Sequence, residues 1–443
     1  MTINHPPRIW LLQDGEALPT DENPRLMRTG NLAEKLVAAG FDVTWWTSRF
    51  NHNLKKLRAL TGDVHPMGEH YRIRPLDGPG YTTNLSIRRI RHYRALAAHF
   101  TERAQHVEMP DLILGSMPSP ELCGAGMRFA KQFGVPFVVD IRDPWPDIFA
   151  DYFHPRLRWA LWPLIQHYRR QIGAIMASAD RIVAVSDSML DWGVRYANRE
   201  RRDTDKVFYI GYNQQAAREL VVPEQFTENE PLLCLFATTC GNSYDGTTLI
   251  EAARLLETSG ERRVAFIMSG DGEWRQRWVA QAAGLKSVNL TGWISHEELQ
   301  AHFLKSHVGL ILMHGGITSY WLGNKICEYL STSLALVNNV SGESSALVES
   351  RGLGLNVPAK DARALADAIR RLLDSPDTVR KSMSNAKQVF EEEFERGKIY
   401  DRYVSYLVDT LSPHRRPQGH NRDPVTPIQP CQRSLPMRDV ARQ

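Results

Sequence analysis

Short apolar runs alternate with amphipathic stretches along almost the whole chain, and this alternation starts twice. In the first half the β-rich runs lie at 8–13, 41–48, 111–116, 135–141 and 181–186. A second set lies at 232–239, 263–270, 287–292, 308–313 and 334–339. Strands separated by helices need crossover connections, which produce parallel sheets covered by helices. The pattern predicts an α/β fold with two doubly wound, Rossmann-like parallel-sheet domains.

The length and the unpatterned segments set the expected domain boundaries. A chain of 443 residues is too long for one ordinary core. The polar segment near 205–230 is the predicted hinge. We therefore expect a first domain over 1–205, a second over 206–393 and a last helix over 394–411. Residues 412–443 are rich in proline and polar side chains, so we expect a disordered tail.

Charge and cysteine content exclude several classes of protein. The net charge of +4 is too small for a nucleic-acid binder, which needs a concentrated basic face. The five cysteines form neither a C-x-x-C pair nor a zinc-type cluster, which is typical of reduced cytosolic thiols. We see no signal peptide and no apolar stretch of the roughly 18–20 residues that a membrane span needs. We therefore expect a cytoplasmic protein whose membrane contact, if any, is peripheral at the inner face of the plasma membrane.

Glycine-containing loops follow several strands of the second half. In doubly wound sheets ligands bind at the carboxyl ends of strands, where backbone N–H groups and helix dipoles favour anions. Each glycine alone could equally serve a structural turn, but several comparable loops in one domain favour a phosphate-binding edge. The positions concerned are Gly241, Gly270, Gly272, Gly315, Gly316 and Gly323.

Lys325 opens the helical run NKICEYLS, and Glu328 lies three residues later, one turn along. A cation beside the positive end of a helix is unfavourable unless an anion joins it, which suggests a diphosphate. A carboxylate one turn later can accept hydrogen bonds from both hydroxyls of a ribose. The alternatives are a solvated surface lysine and an ordinary glutamate that the helix dipole favours.

Around these residues the chain resembles a known enzyme family. The segment NKICEYLSTSLALVNNVSGESSALV over 324–348 is similar to the donor-site helix and strand of glycosyltransferase family 4, retaining enzymes of the GT-B fold. SGDGEW and SVNLTGWIS match two further stretches. VVDIRDPWPD over 138–147 resembles a subgroup of fucosaminyl and related surface-polysaccharide transferases. The resemblance spans roughly 8–410 and implies two domains that face each other across a cleft.

The resemblance implies roles for individual residues. Glu328 would bind the donor ribose and Lys325 the diphosphate, and the last helix would cross back to the first domain. The substrate would be a nucleotide-diphosphate sugar, with UDP as the first choice of nucleotide, and no separate cofactor or metal is expected. The other expected donor-binding positions are Gly241, Asn242, Gly270, Gly272, Trp293, Ile294, Gly323 and Asn324.

The sequence departs from the family pattern at three places. Tyr320 stands where the first of the family's two glutamates would be, and the loop TTCGNSYDG carries no phosphate-binding arginine or lysine. Arg142 and Asp143 replace the histidine that often follows the fifth strand. Phosphate recognition would then depend more on Lys325 and on backbone amides.

Catalysis would mainly require stabilisation of the leaving diphosphate, by Lys325 and nearby amides. We expect Arg142 and Asp143 to take part as well. Asp143 could orient or deprotonate an acceptor hydroxyl, or it could pair with Arg142 or cap a helix. The long loop after the first strand is either a simple surface loop or the acceptor side of the site. Its candidate residues are Glu16, Asp21, Asn23 and Arg25.

Two basic, aromatic segments bear on partners. They lie at 85–100 and 155–170 and suit an anionic membrane surface, as a polyprenyl-diphosphate-linked acceptor would require. A core-facing helix with a solvated basic side is the alternative. The sequence thus predicts retaining sugar transfer to a surface glycan. Two alternative functions stay open. These are a nucleotide-sugar epimerase on the same scaffold and a non-catalytic nucleotide-binding protein.

Overall fold

The computed structural model describes residues 5–22, 24–83, 86–147, 155–213, 221–314, 322 and 324–411, without the side chains of 155–160. The predicted tail at 412–443 therefore lies outside the described residues. Two parallel sheets dominate the fold, one in each half of the chain. The predicted class, two doubly wound α/β domains, is confirmed.

The first sheet has eight strands in the order β10-β9-β8-β7-β1-β2-β6-β5. Its neighbouring strands are parallel except for the antiparallel pair β5–β6, and β3 and β4 form a separate small hairpin. The chain order reverses between β7 and β1. Strands β1–β10 are Arg8–Leu12, Asp42–Ser48, Phe50–Asn51, Lys56–Leu57, His65–Gly68, Tyr71–Leu76, Leu112–Ser116, Phe137–Ile141, Arg181–Ala184 and Lys206–Val207.

The second sheet has six strands in the order β13-β12-β11-β14-β15-β16, all of them parallel. Here the chain order reverses between β11 and β14. The central strands are buried on both faces because helices cover them, which explains their continuous apolar sequences. Strands β11–β16 are Leu232–Ala237, Val264–Ser269, Val288–Gly292, Val308–Ile311, Ala335–Asn338 and Gly354–Asn356.

Helices cover both sheets. Helices α1–α5 belong to the first half and are Arg28–Ala38, Ile87–Ala104, Pro120–Phe133, Pro155–Ser178 and Asp187–Tyr196. Helices α6–α12 are Gly246–Thr258, Arg275–Gln281, His296–Lys305, Asn324–Ser331, Glu343–Ser350, Ala362–Leu373 and Pro376–Val389. A π-helical turn at Phe390–Phe394 then leads into α13, Arg396–Leu411.

Helix α13 lies against the first domain. Its buried residues, among them Tyr400, Tyr403 and Leu407, share a core with residues of β1 and α1. The ring of Tyr403 stacks on Phe208 with a centroid distance of 4.3 Å. The first sheet also includes Lys206–Val207, so it continues two residues past the predicted boundary after 205.

The chain passes between the domains twice, near Tyr212 and again near 394–396, and these two segments are hydrogen-bonded to each other. The Tyr212 N–H donates to the Phe394 carbonyl at 3.0 Å, and the Arg396 N–H donates to the Tyr212 carbonyl at 3.0 Å. Gly211 has a φ of +68°, and a Cβ there would lie 3.1 Å from the Cα of Arg396. Only glycine fits this close approach without strain, so the backbone fixes where α13 begins relative to the hinge.

A buried ionic network lies beneath the loops at the carboxyl end of the first sheet. Asp140, at the end of β8, is fully buried and accepts bidentate hydrogen bonds from Arg28 at 2.9–3.1 Å. Arg142 donates to the same carboxylate at 3.0 Å and pairs with Glu16. Arg28 also donates to the Phe208 carbonyl of the hinge at 2.6 Å. Burial opposes the charge of Asp140, yet Arg28 and Arg142 lower its pKa.

We predict that Arg28→Met lowers the free energy of unfolding by about 3–5 kcal/mol, because it leaves the Asp140 carboxylate buried without its main partner. Urea unfolding at pH 7 measures the change. Lys35→Met is the matched control, since Lys35 lies on the same helix and forms an exposed pair with Asp401. That change should cost less than about 1 kcal/mol. Equal losses in the two variants would contradict the prediction.

Candidate active site

A cleft of about 860 Å³ lies between the two domains. Its walls come from residues that follow β1, β2, β7 and β8 in the first sheet and from β11, β14 and β15 in the second. It therefore includes both places where the strand order reverses. Ligands of open α/β sheets bind at these points, outside the carboxyl ends of the strands.

Helix α9 forms the second-domain wall of the cleft, with Asn324, Lys325 and Glu328 in its lining. The Lys325 ammonium donates to Glu328 Oε2 at 2.6 Å, and the Tyr212 hydroxyl donates to Glu328 Oε1 at 3.2 Å. Glu328 is only 8% exposed, and its two hydrogen bonds hold the carboxylate in place. The structure brings together the two residues that the sequence predicts for the diphosphate and the ribose. Gly323 lies outside the described residues.

The glycine loops of the second domain are packed against one another. A Cβ on Gly270 would lie 1.7 Å from the Thr238 carbonyl oxygen, and one on Gly272 would lie 2.4 Å from the Cys240 carbonyl oxygen. Both glycines have positive φ angles, so the approach of the neighbouring loop explains them structurally. Their predicted role toward a nucleotide stays a prediction.

The remaining predicted donor positions lie in the loops after β11, β12 and β13, outside the cleft lining. Trp293, in the loop after β13, is 79% exposed. The Gly270 N–H donates to the Gly292 carbonyl at 2.9 Å, which ties the loop after β12 to the one after β13. The positions outside the lining are Gly241, Asn242, Gly270, Gly272, Trp293 and Ile294.

Asp143 lies on the opposite wall, just after β8. Burial raises the pKa of its carboxyl to about 6, although Arg142 and Arg89 act in the other direction. A carboxylate with a pKa near 6 is largely ionised at neutral pH and is still basic enough to accept a proton. Asp143 therefore has the properties of a general base on the cleft wall.

Arg142 and Glu16 are members of the buried ionic network as well as of the cleft lining. Arg142 also donates to the hydroxyls of Thr29 and Ser116, both at 2.9 Å. Glu16 accepts from the Thr29 N–H at 2.9 Å, in the first turn of α1. These hydrogen bonds fix the orientation of both side chains. Arg142 and Glu16 therefore hold the cleft wall together, independently of any contact with a substrate.

The other acceptor-side candidates differ in their surroundings. Asp21 accepts hydrogen bonds from Arg58 at 2.8 and 3.0 Å, and although partial burial opposes it, this partner lowers the Asp21 pKa. Arg25 is exposed at the cleft and lies over the Tyr212 ring, 5.8 Å from its centroid. Asn23 lies outside the described residues.

Asp14, Arg89 and Tyr93 are among the cleft residues that were not predicted from the sequence. Asp14 is 7% exposed, and burial raises its pKa while Arg89 opposes the rise. Arg89 donates to the Tyr93 hydroxyl at 2.8 Å. Arg89 and Tyr93 are four residues apart on α2, so their shared helix face was the one signal available.

Helices α2 and α4 contain residues 87–100 and 155–170 of the two basic, aromatic segments. On α2 the side chains of Arg88, Arg91 and Arg94 are exposed while the apolar side is buried in the core. On α4, Trp162 is 54% exposed. No helix in the described ranges is both long and apolar enough to span a membrane. Within the same ranges no three metal-ligating side chains are grouped, and metal independence stays a prediction.

Two family models match the two halves of the chain. The one described as Glycosyltransferase Family 4 matches residues 27–204. The one described as Glycosyl transferases group 1 matches residues 233–375. Each matched segment lies within one of the two sheet-containing domains on either side of the cleft.

Two curated relatives are glycosyltransferases. An alpha-D-kanosaminyltransferase from Streptomyces kanamyceticus is 26% identical over 272 residues, which are 58% of this chain and 66% of the relative. The O-antigen chain mannosyltransferase C of Escherichia coli is 25% identical over 160 residues, which are 35% of this chain and 43% of the relative. The chain thus matches just under two thirds of the first relative's length and less than half of the second's.

Solved structures share the fold at low sequence identity. A sucrose-phosphate synthase from Thermosynechococcus elongatus superposes with a TM-score of 0.68 at 18% identity, over 92% of this chain and all of that one. An Anabaena protein solved in complex with UDP gives a TM-score of 0.61 at 14% identity, over 91% of this chain and all of that one. With a family 4 domain in its first half and a group 1 domain in its second, the chain belongs to the glycosyltransferases of the GT-B fold.

Proposed function

We propose that this protein transfers a sugar from a nucleotide-diphosphate sugar to a lipid-linked glycan acceptor, with retention at the anomeric carbon. The observation that carries the proposal is the arrangement of the cleft. Lys325 and Glu328 line one wall, and Asp143, with a pKa raised to about 6, lines the other. The names of the relatives, a kanosaminyl- and a mannosyltransferase, support transfer of a sugar.

The second-domain wall suits a nucleotide. Glu328 is a buried carboxylate of helix α9, and such a group accepts strong hydrogen bonds from ribose hydroxyls. Lys325 lies one turn away and can stabilise the charge that develops on the departing diphosphate. Structures of the Anabaena protein, which has the same fold, contain UDP or UDP-glucose, and this supports UDP as the first nucleotide to test.

The first-domain wall suits an acceptor hydroxyl. Asp143 can orient that hydroxyl or take its proton, and Arg142, held by the buried network, keeps a positive charge beside it. The same wall carries Asp14, Arg89 and Tyr93, which offer polar groups to a glycan. An acceptor bound here would face the donor across the cleft, as group transfer requires.

Peripheral membrane contact belongs to the same proposal. Leu54, at the cleft, and Ile87, at the start of α2, are 66% and 70% exposed. Lys55 and Arg89 both lie over the Tyr81 ring, at 4.8 and 5.6 Å, so the loop at 52–55 and the start of α2 are close together. Exposed apolar side chains beside basic ones suit the surface of an anionic bilayer, where a lipid-linked acceptor would be presented.

An assay of UDP-, GDP- and ADP-sugars with EDTA tests the proposed activity. We predict acceptor-dependent release of one nucleoside diphosphate, faster with a polyprenyl-diphosphate-linked acceptor in anionic vesicles than in neutral ones, because basic residues attract the anionic surface. NMR of the product should reveal the donor's anomeric configuration. Isomerised donor without any acceptor would instead support the epimerase, and nucleotide binding without turnover would support the non-catalytic protein.

Asp143→Asn should remove the proton acceptor and stabilise the fold. For the wild type we predict activity that rises with pH through about 6, and for the variant a loss of about 10²–10⁴-fold without that inflection. Because the folded pKa lies above the ordinary aspartate value of 3.8, the ionised carboxylate destabilises the fold above pH 6. The variant should therefore gain roughly 2–3 kcal/mol at pH 8 and nothing near pH 4.

Asp21→Asn is the matched control for that experiment, since Asp21 lines the same cleft but has a lowered pKa. Its carboxylate stabilises the fold above pH 4, so the amide should lower stability at pH 8, the opposite sign. An Asp143→Asn enzyme that keeps full activity, or that loses stability at pH 8, would refute the assignment of Asp143 as the base.

A further inference from the structure

Three cationic side chains from separate parts of the chain line one stretch of the cleft. They are Arg25, Lys325 and Arg396. The guanidinium carbons of Arg25 and Arg396 lie 5.8 and 5.6 Å from the centroid of the Tyr212 ring. Through its hydroxyl, Tyr212 is bonded to Glu328, which also holds Lys325.

The charges in this cluster do not cancel. Glu328 neutralises Lys325, with which it forms a close ion pair. Over the part of the chain that the structure describes, neither Arg25 nor Arg396 has a carboxylate at ion-pair distance. Two like charges near one ring repel each other, and the repulsion falls when an anion lies between them. The uncompensated positive charge of the cluster therefore favours binding of an anionic ligand.

The position of Arg396 is set by the backbone and not by a flexible loop. Its N–H donates to the Tyr212 carbonyl at 3.0 Å, and Gly211 permits the close approach of the two segments. Arg396 is also the first residue of α13, where a cation is unfavourable beside the helix dipole unless an anion compensates it. Lys325 has the corresponding place in α9. Two helices thus present a cation in the first turn to the same cleft.

We propose that Arg396 binds the diphosphate of the donor, and that Arg25 completes the contact from the first domain. This inference rests on the proposed function, which supplies the nucleoside diphosphate. The loop after β11 carries no arginine or lysine, and Lys325 already shares its charge with Glu328. Arg396 and Arg25 supply the positive charge that a departing diphosphate needs.

Calorimetry with UDP, GDP and ADP, each compared with its nucleoside, tests this role. For the diphosphate that binds the wild type, Arg396→Gln should lower the affinity about ten- to hundredfold, the range expected for loss of a charged hydrogen bond. The affinity for the nucleoside should not change, because the nucleoside carries no phosphate. The diphosphate affinity of Arg396→Lys should lie between those of the wild type and Arg396→Gln. Arg25→Gln should also weaken binding of the diphosphate and leave binding of the nucleoside unchanged.

Arg402→Gln is the control, since Arg402 is an exposed arginine on the same helix. It should bind both ligands as the wild type does. The inference is overturned if Arg396→Gln binds the diphosphate normally, or if it loses the nucleoside equally, which would indicate a structural role. If no nucleoside diphosphate binds the wild type, the proposed function fails and the inference with it. Binding that depends on Glu328 but not on Arg396 would refute the inference alone.

Discussion

The buried carboxylate of Asp140 and its two arginines hold the first domain to the rest of the molecule. Asp140 ends strand β8, Arg28 begins helix α1, and the Arg28 guanidinium also binds the hinge carbonyl of Phe208. The Arg28 guanidinium lies over the ring of Tyr403 in α13, 5.1 Å from its centroid. One charged group therefore connects a strand, a helix, the hinge and the returning helix. Losing a single partner of such a group leaves an uncompensated charge in the interior, which is why the network acts as a unit.

The cleft depends on this network because Glu16, Arg28 and Arg142 belong to both. Arg142 joins the network to the cleft wall, and Asp143 follows it directly, so the position and the raised pKa of Asp143 both derive from the burial around the end of β8. On the other side, the hydrogen-bonded crossings place Tyr212 against Glu328. The elements that join the domains are thus also the elements that line the site, and movement of the domains would change the distances between Arg25 and the second-domain cations.

The fold class followed from the sequence because parallel strands buried on both faces are continuous apolar runs. The predicted run at 232–239 is observed as Leu232–Ala237, for example. The strands Tyr71–Leu76 and Gly354–Asn356 were not predicted. The first alternates arginines with apolar residues, and the second has only three residues and lies at a sheet edge. Lys325 and Glu328 could be predicted because a helix turn relates them. Tyr212 could not, since 116 residues separate it from Glu328, and only the folded hinge brings the two together. Glu16, in a polar loop, gave no sign of its burial beside Arg142.

A crystal structure with UDP bound is the measurement that tests the central claim most directly, that the cleft between the domains holds the donor. The account predicts the ribose hydroxyls on the Glu328 carboxylate and the diphosphate between the Lys325 ammonium and the first-domain wall that carries Asp143. A nucleotide bound outside this cleft, or one whose phosphates point away from Lys325, would contradict it.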